Sequence, residues 1–156
     1  MKFKTEIKWG ILFSIISILW LLLLVTLGYT SEKIEQFPTV DSLFFIIAIL
    51  IYVMAFRDKR QKNGNKLSWK QAFVSGILIG IVVMILSIPS QAFIHKIIIP
   101  DFFKNNIEYA VAHKKMTLEA AQKYFNLKSY MIQSVIFAPV AGAITGAIVG
   151  LLMKRK

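Results

Sequence analysis

The sequence predicts an all-α membrane protein: a four-transmembrane-helix bundle built from two parallel hairpin repeats, with a short amphipathic helical hairpin in one outer loop. Three observations favour this fold. The 156-residue chain is 56% hydrophobic, whereas soluble domains are about 45–50% apolar. The apolar residues are collected in four blocks that contain no Asp, Glu, Lys or Arg: residues 9–28, 43–56, 72–94 and 130–153. The cations gather beside and between these blocks.

Each apolar block is close to the length that crosses a bilayer. A helix needs about 20 mostly apolar residues to span the hydrocarbon core, and backbone groups in lipid must be satisfied within the segment. The predicted spans of a single membrane domain, residues 1–156, are residues 9–28, 38–56, 70–94 and 130–153. The second span is short unless its helix begins at Pro38, because proline is favoured in a first helical turn.

The charges predict the orientation. With four spans, both termini and the middle loop lie on one side of the membrane. Residues 2–8, 57–70 and 154–156 carry a net charge of +10, and the opposite side carries the remaining +1 of the total of +11. Because Lys and Arg accumulate in cytoplasmic loops, we expect cytoplasmic termini. The basic charge is therefore mainly topological, and we expect membrane lipids and no nucleic acid as partners. A specific anionic-lipid or nucleic-acid role for residues 57–70 is the alternative. Trp9 and Trp69, each beside a lysine, are predicted to anchor the helices at this interface.

The loop between spans three and four, residues 100–129, contains two helix signals. Phe103 and Val111 follow helical spacing behind Asp101, a predicted N-cap, and a second amphipathic segment follows Thr117, another predicted N-cap. Short amphipathic helices beside a bilayer lie on its surface or cover the outer mouth of the bundle. A partner-binding role is the alternative.

Glycines mark the packing faces of spans three and four. In lipid, helix association relies on close packing, which small residues permit. We align the two spans as an antiparallel pair by counting residues from their predicted cytoplasmic ends. This alignment sets Gly76 against Gly150, Gly80 against Gly146, and Met84 against Gly142. A homodimer seam through the same glycine face is the alternative.

Prolines interrupt the same two spans at Pro89 and Pro139, where each is predicted to bend its helix. They free the carbonyls of Ile85 and Val135 from intrahelical hydrogen bonds. The densest polar cluster within the spans surrounds them: Ser87, Ser90, Gln91, Gln133 and Ser134. These side chains are predicted to satisfy the freed carbonyls and one another. Alternatively, they line a small outward-opening pocket with its two glutamines as ligand contacts.

A resemblance to a known family rests on four segments: "IKWGILFSIISILW", "LIYVMAFRDKR", "LSWKQAFVSGILIG" and "IEYAVAHKKMTLEAAQKYFNLKSY". Together they resemble the domain-of-unknown-function 4199 family, uncharacterised four-span bacterial membrane proteins found mostly in Bacteroidota. The resemblance covers nearly the whole chain and implies a location in the bacterial inner (plasma) membrane. The family has no established activity, so the resemblance implies no functional residue.

Residues that would support catalysis or ion coupling are scarce. The chain has no cysteine, which excludes disulfides and thiolate chemistry. The spans contain none of the buried ionisable residues typical of proton relays. His95, at the outer end of span three, is explained by interfacial snorkelling. Because no nucleophile and base are paired, we expect no enzyme activity, metal or cofactor.

Two classes of function remain. The first is a non-catalytic structural or accessory protein that binds a membrane-protein partner. The second is a small transporter or lipid-handling unit that acts as a homo-oligomer. The lack of charges within the spans favours the first class.

Overall fold

The computed structural model describes residues 3–153, and within this range it contains helices and connecting loops but no strands. Four of the cations that support the predicted orientation, at positions 2 and 154–156, lie outside the described residues. The α-helices, in chain order, are α1 (Lys4–Thr26), α2 (Phe37–Ser42), α3 (Phe44–Lys62), α4 (Trp69–Phe93), α5 (Phe102–Ala112), α6 (Leu118–Tyr124) and α7 (Leu127–Met153). The predicted all-α fold is confirmed.

Four segments are long and apolar enough to cross a membrane: Lys4–Thr26, Ile34–Lys62, Trp69–Ile98 and Leu127–Met153. Each begins before the predicted span, by one residue in the third segment and by three to five residues in the others. The second is composite, because a 3₁₀ turn and α2 precede α3, with a break at Leu43. Pro38 lies in the first turn of α2, as its fixed φ angle favours. The chain is therefore a multi-pass membrane protein.

Each half of the chain forms an antiparallel hairpin. In the first hairpin, Trp9 near the start of α1 contacts Asp58 near the end of α3, and Trp20 contacts Phe44. In the second, α4 and α7 pack along most of their length.

The two hairpins have the same orientation. The side chains of Glu6 and Ser75 meet, and Gly10 lies against Val82 further along, so α1 and α4 run in the same direction. The predicted arrangement of two parallel hairpins is therefore confirmed.

Two apolar clusters hold the bundle together. The first, at the end nearer the termini, contains Trp9, Ile51, Tyr52, Ala55, Phe56, Leu67, Ala72, Ile79 and Val149. The second, at the outer end, buries Ile94, Ile99 and Phe102 against side chains of α1 and Phe37. Phe102 belongs to α5, so the second cluster fixes the outer helical insert onto the bundle.

The insert between α4 and α7 is helical, as predicted. Thr117 caps α6, since its hydroxyl accepts a hydrogen bond of 3.3 Å from the Ala120 amide. Asp101 precedes α5, but its side chain makes no capping hydrogen bond. The Asn105 amide instead ties α5 to the first outer loop by donating a 3.4 Å hydrogen bond to the Thr30 carbonyl.

Candidate functional site

A cluster of charged and polar side chains is buried at the end of the bundle nearer the termini. Glu6 of α1 is only 1% exposed and forms an ion pair with Lys59 of α3. The Ser75 hydroxyl of α4 accepts a hydrogen bond of 2.6 Å from the Lys59 amine and donates one of 2.7 Å to Glu6 Oε1. Three transmembrane helices therefore meet at one carboxylate.

The positions of these residues in their helices favour the cluster. Glu6 lies in the first turn of α1, and Lys59 lies in the last turn of α3. The helix dipole favours an anion at the first position and a cation at the second, and the antiparallel hairpin brings the two ends together. A buried ion pair is costly unless further hydrogen bonds satisfy it. Ser75 supplies such hydrogen bonds.

A second carboxylate, Asp58, lies beside this cluster. It accepts a 2.9 Å hydrogen bond from the Trp9 indole and pairs with Lys62 at 2.9 Å and Lys8 at 3.6 Å. Trp9 is 6% exposed and belongs to the bundle core. The Trp9 indole therefore packs inside the bundle, because α1 extends beyond the apolar block and brings the ring level with Asp58. Its role as an anchor at the membrane interface stays a prediction.

The cluster contains a serine hydroxyl beside a lysine amine, an arrangement that can serve as a nucleophile and its base. Here the Glu6 carboxylate binds both the Lys59 amine and the Ser75 hydroxyl. Ser75 is also 1% exposed, so a substrate has no access to the hydroxyl in this conformation. The geometry is that of a connection between helices.

The glycines of α4 and α7 bring the two backbones into contact. A methyl group added at Gly76 would collide with the Gly142 carbonyl oxygen and would lie 2.9 Å from the Gly146 Cα. One added at Gly80 would lie 2.5 Å from the Ala138 carbonyl oxygen. The glycine face of α7 therefore packs against α4 of the same chain, and only glycine fits at the centre of this seam.

The predicted partners along the seam are wrong by about one helical turn. Gly150 lies opposite Ala72 rather than Gly76, and Met84 lies further out than Gly142, because Gly80 already faces Ala138. The prediction placed the apolar ends of the two helices at the same depth. Instead α4 begins before its apolar residues, at Trp69, through a capping box at Ser68.

The indole of Trp69 reinforces the seam. Its Nε1 atom donates a 3.0 Å hydrogen bond to the Ala147 carbonyl of α7. The ring is 37% exposed at the end of the bundle, an arrangement compatible with its predicted place at the interface.

The predicted outer polar cluster is only partly brought together. The Gln91 amide donates a 3.2 Å hydrogen bond to the Ser134 hydroxyl, which itself bonds to the Tyr130 carbonyl. The Ser87 and Ser90 hydroxyls bond back to carbonyls of their own helix at 2.8 and 2.7 Å. The chain runs as continuous helix through both Pro89 and Pro139.

The accepting carbonyls differ from those that the prolines free. The hydroxyls of Ser87 and Ser90 bond to Met84 and Leu86, on either side of Ile85. Among the hydrogen bonds of residues 3–153, none joins a side chain of the cluster to the Ile85 or Val135 carbonyl. The predicted rescue of these two carbonyls is therefore wrong, although Gln91 and Ser134 do satisfy one another.

The outer surface of α7 has one shallow depression near this cluster. Its volume is about 430 Å³, and its lining residues are Gln133, Ser134, Ile136, Phe137 and Val140. The last three are exposed apolar side chains, which places the depression on the lipid-facing side of the bundle. Two of the five predicted pocket residues, Gln133 and Ser134, therefore line this depression, and the three on α4 are not part of its lining.

His95 lies inside the outer cluster rather than at an interface. A π-helical turn, Ile94–Ile98, ends the third span and turns His95 inward, where it is 8% exposed. Its ring centroid lies 4.4 Å from that of Phe103 and 5.6 Å from that of Tyr130. Within the described part of the chain, its Nδ1 atom has no hydrogen-bond partner. The snorkelling interpretation of His95 is therefore wrong.

A comparison with known protein families matches residues 8–155, nearly the whole chain. The chain belongs to the DUF4199 family. Its description is a protein of unknown function, so the predicted resemblance is confirmed and supplies no activity. The DUF4199 chain matches no curated protein and no solved structure.

Sequence reasoning missed the buried charges of this DUF4199 protein. Glu6 and Lys59 lie just outside the apolar blocks, and helices that extend past these blocks carry both residues into the bundle. A usable signal was present, because Glu6 is the only carboxylate among the first lysines and Lys59 lies three residues after the end of the second block. Across residues 3–153, no three His, Asp or Glu side chains gather to hold a metal ion.

Proposed function

We propose that this DUF4199 protein is a non-catalytic, structural or accessory component of the membrane that acts by binding a membrane-protein partner. The observation that carries the proposal is the close packing and pairing of the helices at two places in the bundle. The seam at Gly76 and Gly142 brings backbone against backbone, and the charged groups at Glu6 and Lys59 are occupied by each other and by Ser75.

Close packing between the helices favours a scaffold over a conduit. A transporter needs a polar path and an element that opens, and the helices that would have to separate are the most closely packed pair in the chain. A transporter with this packing would form its pore between two copies of the chain. A flux measurement in proteoliposomes tests for such a pore.

The outer insert is the surface that suits a protein partner. Leu118 and Tyr124 of α6 are exposed, whereas Ala121 between them is buried. Exposed apolar side chains outside the spanning segments are typical of interaction sites. The firm attachment of α5 through Phe102 would hold α6 in a fixed place for a partner.

The proposed location is the bacterial inner membrane, with both termini in the cytoplasm. The difference of +10 against +1 between the two sides supports this orientation. The insert of α5 and α6 would then face away from the cytoplasm, where it would meet partners from the outer side.

Site-specific photo-crosslinking in native membranes tests the proposal. A photoreactive amino acid replaces Leu118 on α6, and a matched control replaces Ile136, which is exposed on the lipid-facing side of α7. Mass spectrometry identifies the crosslinked proteins. We expect the same heterologous membrane protein from Leu118 in repeated preparations, and no such product from Ile136.

A different result would favour the second class of function. If Leu118 crosslinks only to a second copy of the chain, and the purified protein conducts a solute in proteoliposomes, the chain is a homo-oligomeric transporter. That pair of results overturns the accessory role.

A further inference from the structure

The last two turns of α3 carry cations on opposite faces. Lys59 points into the bundle and pairs with Glu6, and the more exposed Lys62 pairs with Asp58 on the side toward α1. Arg57 and Arg60 lie on the other face. Among the described residues, 3–153, no carboxylate forms an ion pair with either arginine. The packing of the bundle therefore explains the two lysines and leaves the two arginines free to bind an anion.

The two arginines border a shallow depression. It has a volume of about 270 Å³, opens to the surface, and is lined by Arg57, Arg60, Gln61 and Asn65. The loop after α3 turns back over the end of the helix, because Gly64 and Asn65 adopt left-handed conformations with φ of 63° and 62°. The Arg60 Nε atom donates a 3.0 Å hydrogen bond to the Asn65 carbonyl, which fixes the guanidinium at the rim.

The depression continues the lipid-facing stripe of α3. The exposed apolar residues of this stripe follow helical spacing and are Ile46, Leu50 and Met54. The next residues on the same face are Arg57 and Gln61, which are exposed as well. The basic depression therefore lies where the hydrocarbon-facing surface ends, at the depth of the lipid headgroups.

We propose that this depression binds the phosphate of an anionic phospholipid, with an acyl chain lying along Leu50 and Met54. Guanidinium groups match phosphate oxygens in a bidentate manner, and Arg57 and Arg60 supply two of them without a competing carboxylate. The Gln61 amide adds a neutral donor. A basic pocket directly beside an exposed apolar stripe fits both parts of one lipid molecule, whereas a free phosphate would use only the basic part.

Lipid retention by the purified full chain tests this inference independently of the proposed function. The chain is delipidated in a neutral detergent, and phosphatidylglycerol or phosphatidylcholine is then titrated while native mass spectrometry counts bound lipids. The test variant is Arg57→Gln with Arg60→Gln. The matched control, Lys66→Gln with Lys70→Gln, removes two cations near the same end of the bundle but outside the depression. Circular dichroism checks that both variants keep their helix content.

We expect the wild-type chain and the lysine variant to prefer phosphatidylglycerol. The arginine variant should bind phosphatidylglycerol at least about tenfold more weakly than the wild type. Arg57→Lys with Arg60→Lys keeps the charge but loses the bidentate geometry, so it restores only part of the binding. Equal losses in the lysine and arginine variants would show a general basic field instead of a site. Equal retention of the two lipids, or displacement of the lipid by inorganic phosphate, would also overturn the proposal.

Discussion

The Ser75 hydroxyl donates a 2.7 Å hydrogen bond to the Glu6 carboxylate across the boundary between the two hairpins. Lys59 completes the cluster by contacting both residues. The environments of the paired charges differ, since the Glu6 side chain is 2% exposed and that of Lys59 is 19% exposed. Loss of the lysine therefore strands a fully buried anion, whereas loss of the glutamate leaves a cation that can reach water.

We first predict that Lys59→Met is among the most damaging single changes in the chain. Removing one partner of a buried ion pair costs about 3–5 kcal/mol. Thermal unfolding in detergent measures the effect, and Lys62→Met, which removes a more exposed partner of Asp58, serves as the control.

The double change Glu6→Leu with Lys59→Met distinguishes the cause. Because it removes both charges and fills their space, we expect it to recover most of the stability that Lys59→Met loses. A double variant as unstable as the single one would mean that the pair is not the source of the loss.

We next predict a rank order along the glycine seam. Gly76→Ala and Gly142→Ala force a methyl group into a facing backbone carbonyl, whereas at Gly146 the nearest atom would be 3.0 Å away. Overpacking of this kind costs about 1–3 kcal/mol. The first two variants should therefore unfold at clearly lower temperature than Gly146→Ala. Equal effects at all three positions would argue against this contact geometry.

A third prediction concerns His95. Its ring packs among aromatic side chains, but its Nδ1 atom is unpartnered within the described chain. His95→Phe keeps the packing and removes a buried polar atom that costs about 1–3 kcal/mol when unsatisfied. We expect this variant to be at least as stable as the wild type in a detergent melt, and His95→Ala to be less stable. A destabilised His95→Phe would show that the imidazole nitrogen is used.

A fourth prediction tests the orientation. After Lys62 and after Lys156, a reporter that needs the cytoplasm should be active and one that needs the periplasm should be inactive. The reason is that the basic segments are retained in the cytoplasm. A fusion within the insert, after Lys115, gives the opposite result if four spans are crossed. Periplasmic activity after Lys62 or Lys156 would reverse the proposed topology.

The spans and hairpins could be predicted from the sequence because the membrane imposes them. A block such as that ending at Phe56 must be helical in lipid, and an even number of spans fixes which loops share a side. Thr117 could be predicted as a cap because its signal is local. The glycine faces were visible for the same reason, since they depend only on helical spacing.

Relations between helices could not be predicted in the same way. The axial register of Gly76 against α7 depends on where each helix begins, and the polar first turn of α4 shifts that point. The burial of Glu6 and Trp9 depends on helices that extend past their apolar blocks. His95 is buried because a π-helical turn redirects its side chain, and the residue pattern gives no sign of that turn.

The two hairpins differ in how many of their contacts each can form within its own half of the chain. The seam from Trp69 to Gly150 lies wholly within the second half of the chain, so that half carries its own closest contacts. The first half, made earlier during synthesis, holds Glu6 and Lys59 but lacks the Ser75 hydroxyl until α4 is inserted. The charged cluster of the first hairpin therefore gains its last hydrogen-bond partner only when the second hairpin is inserted.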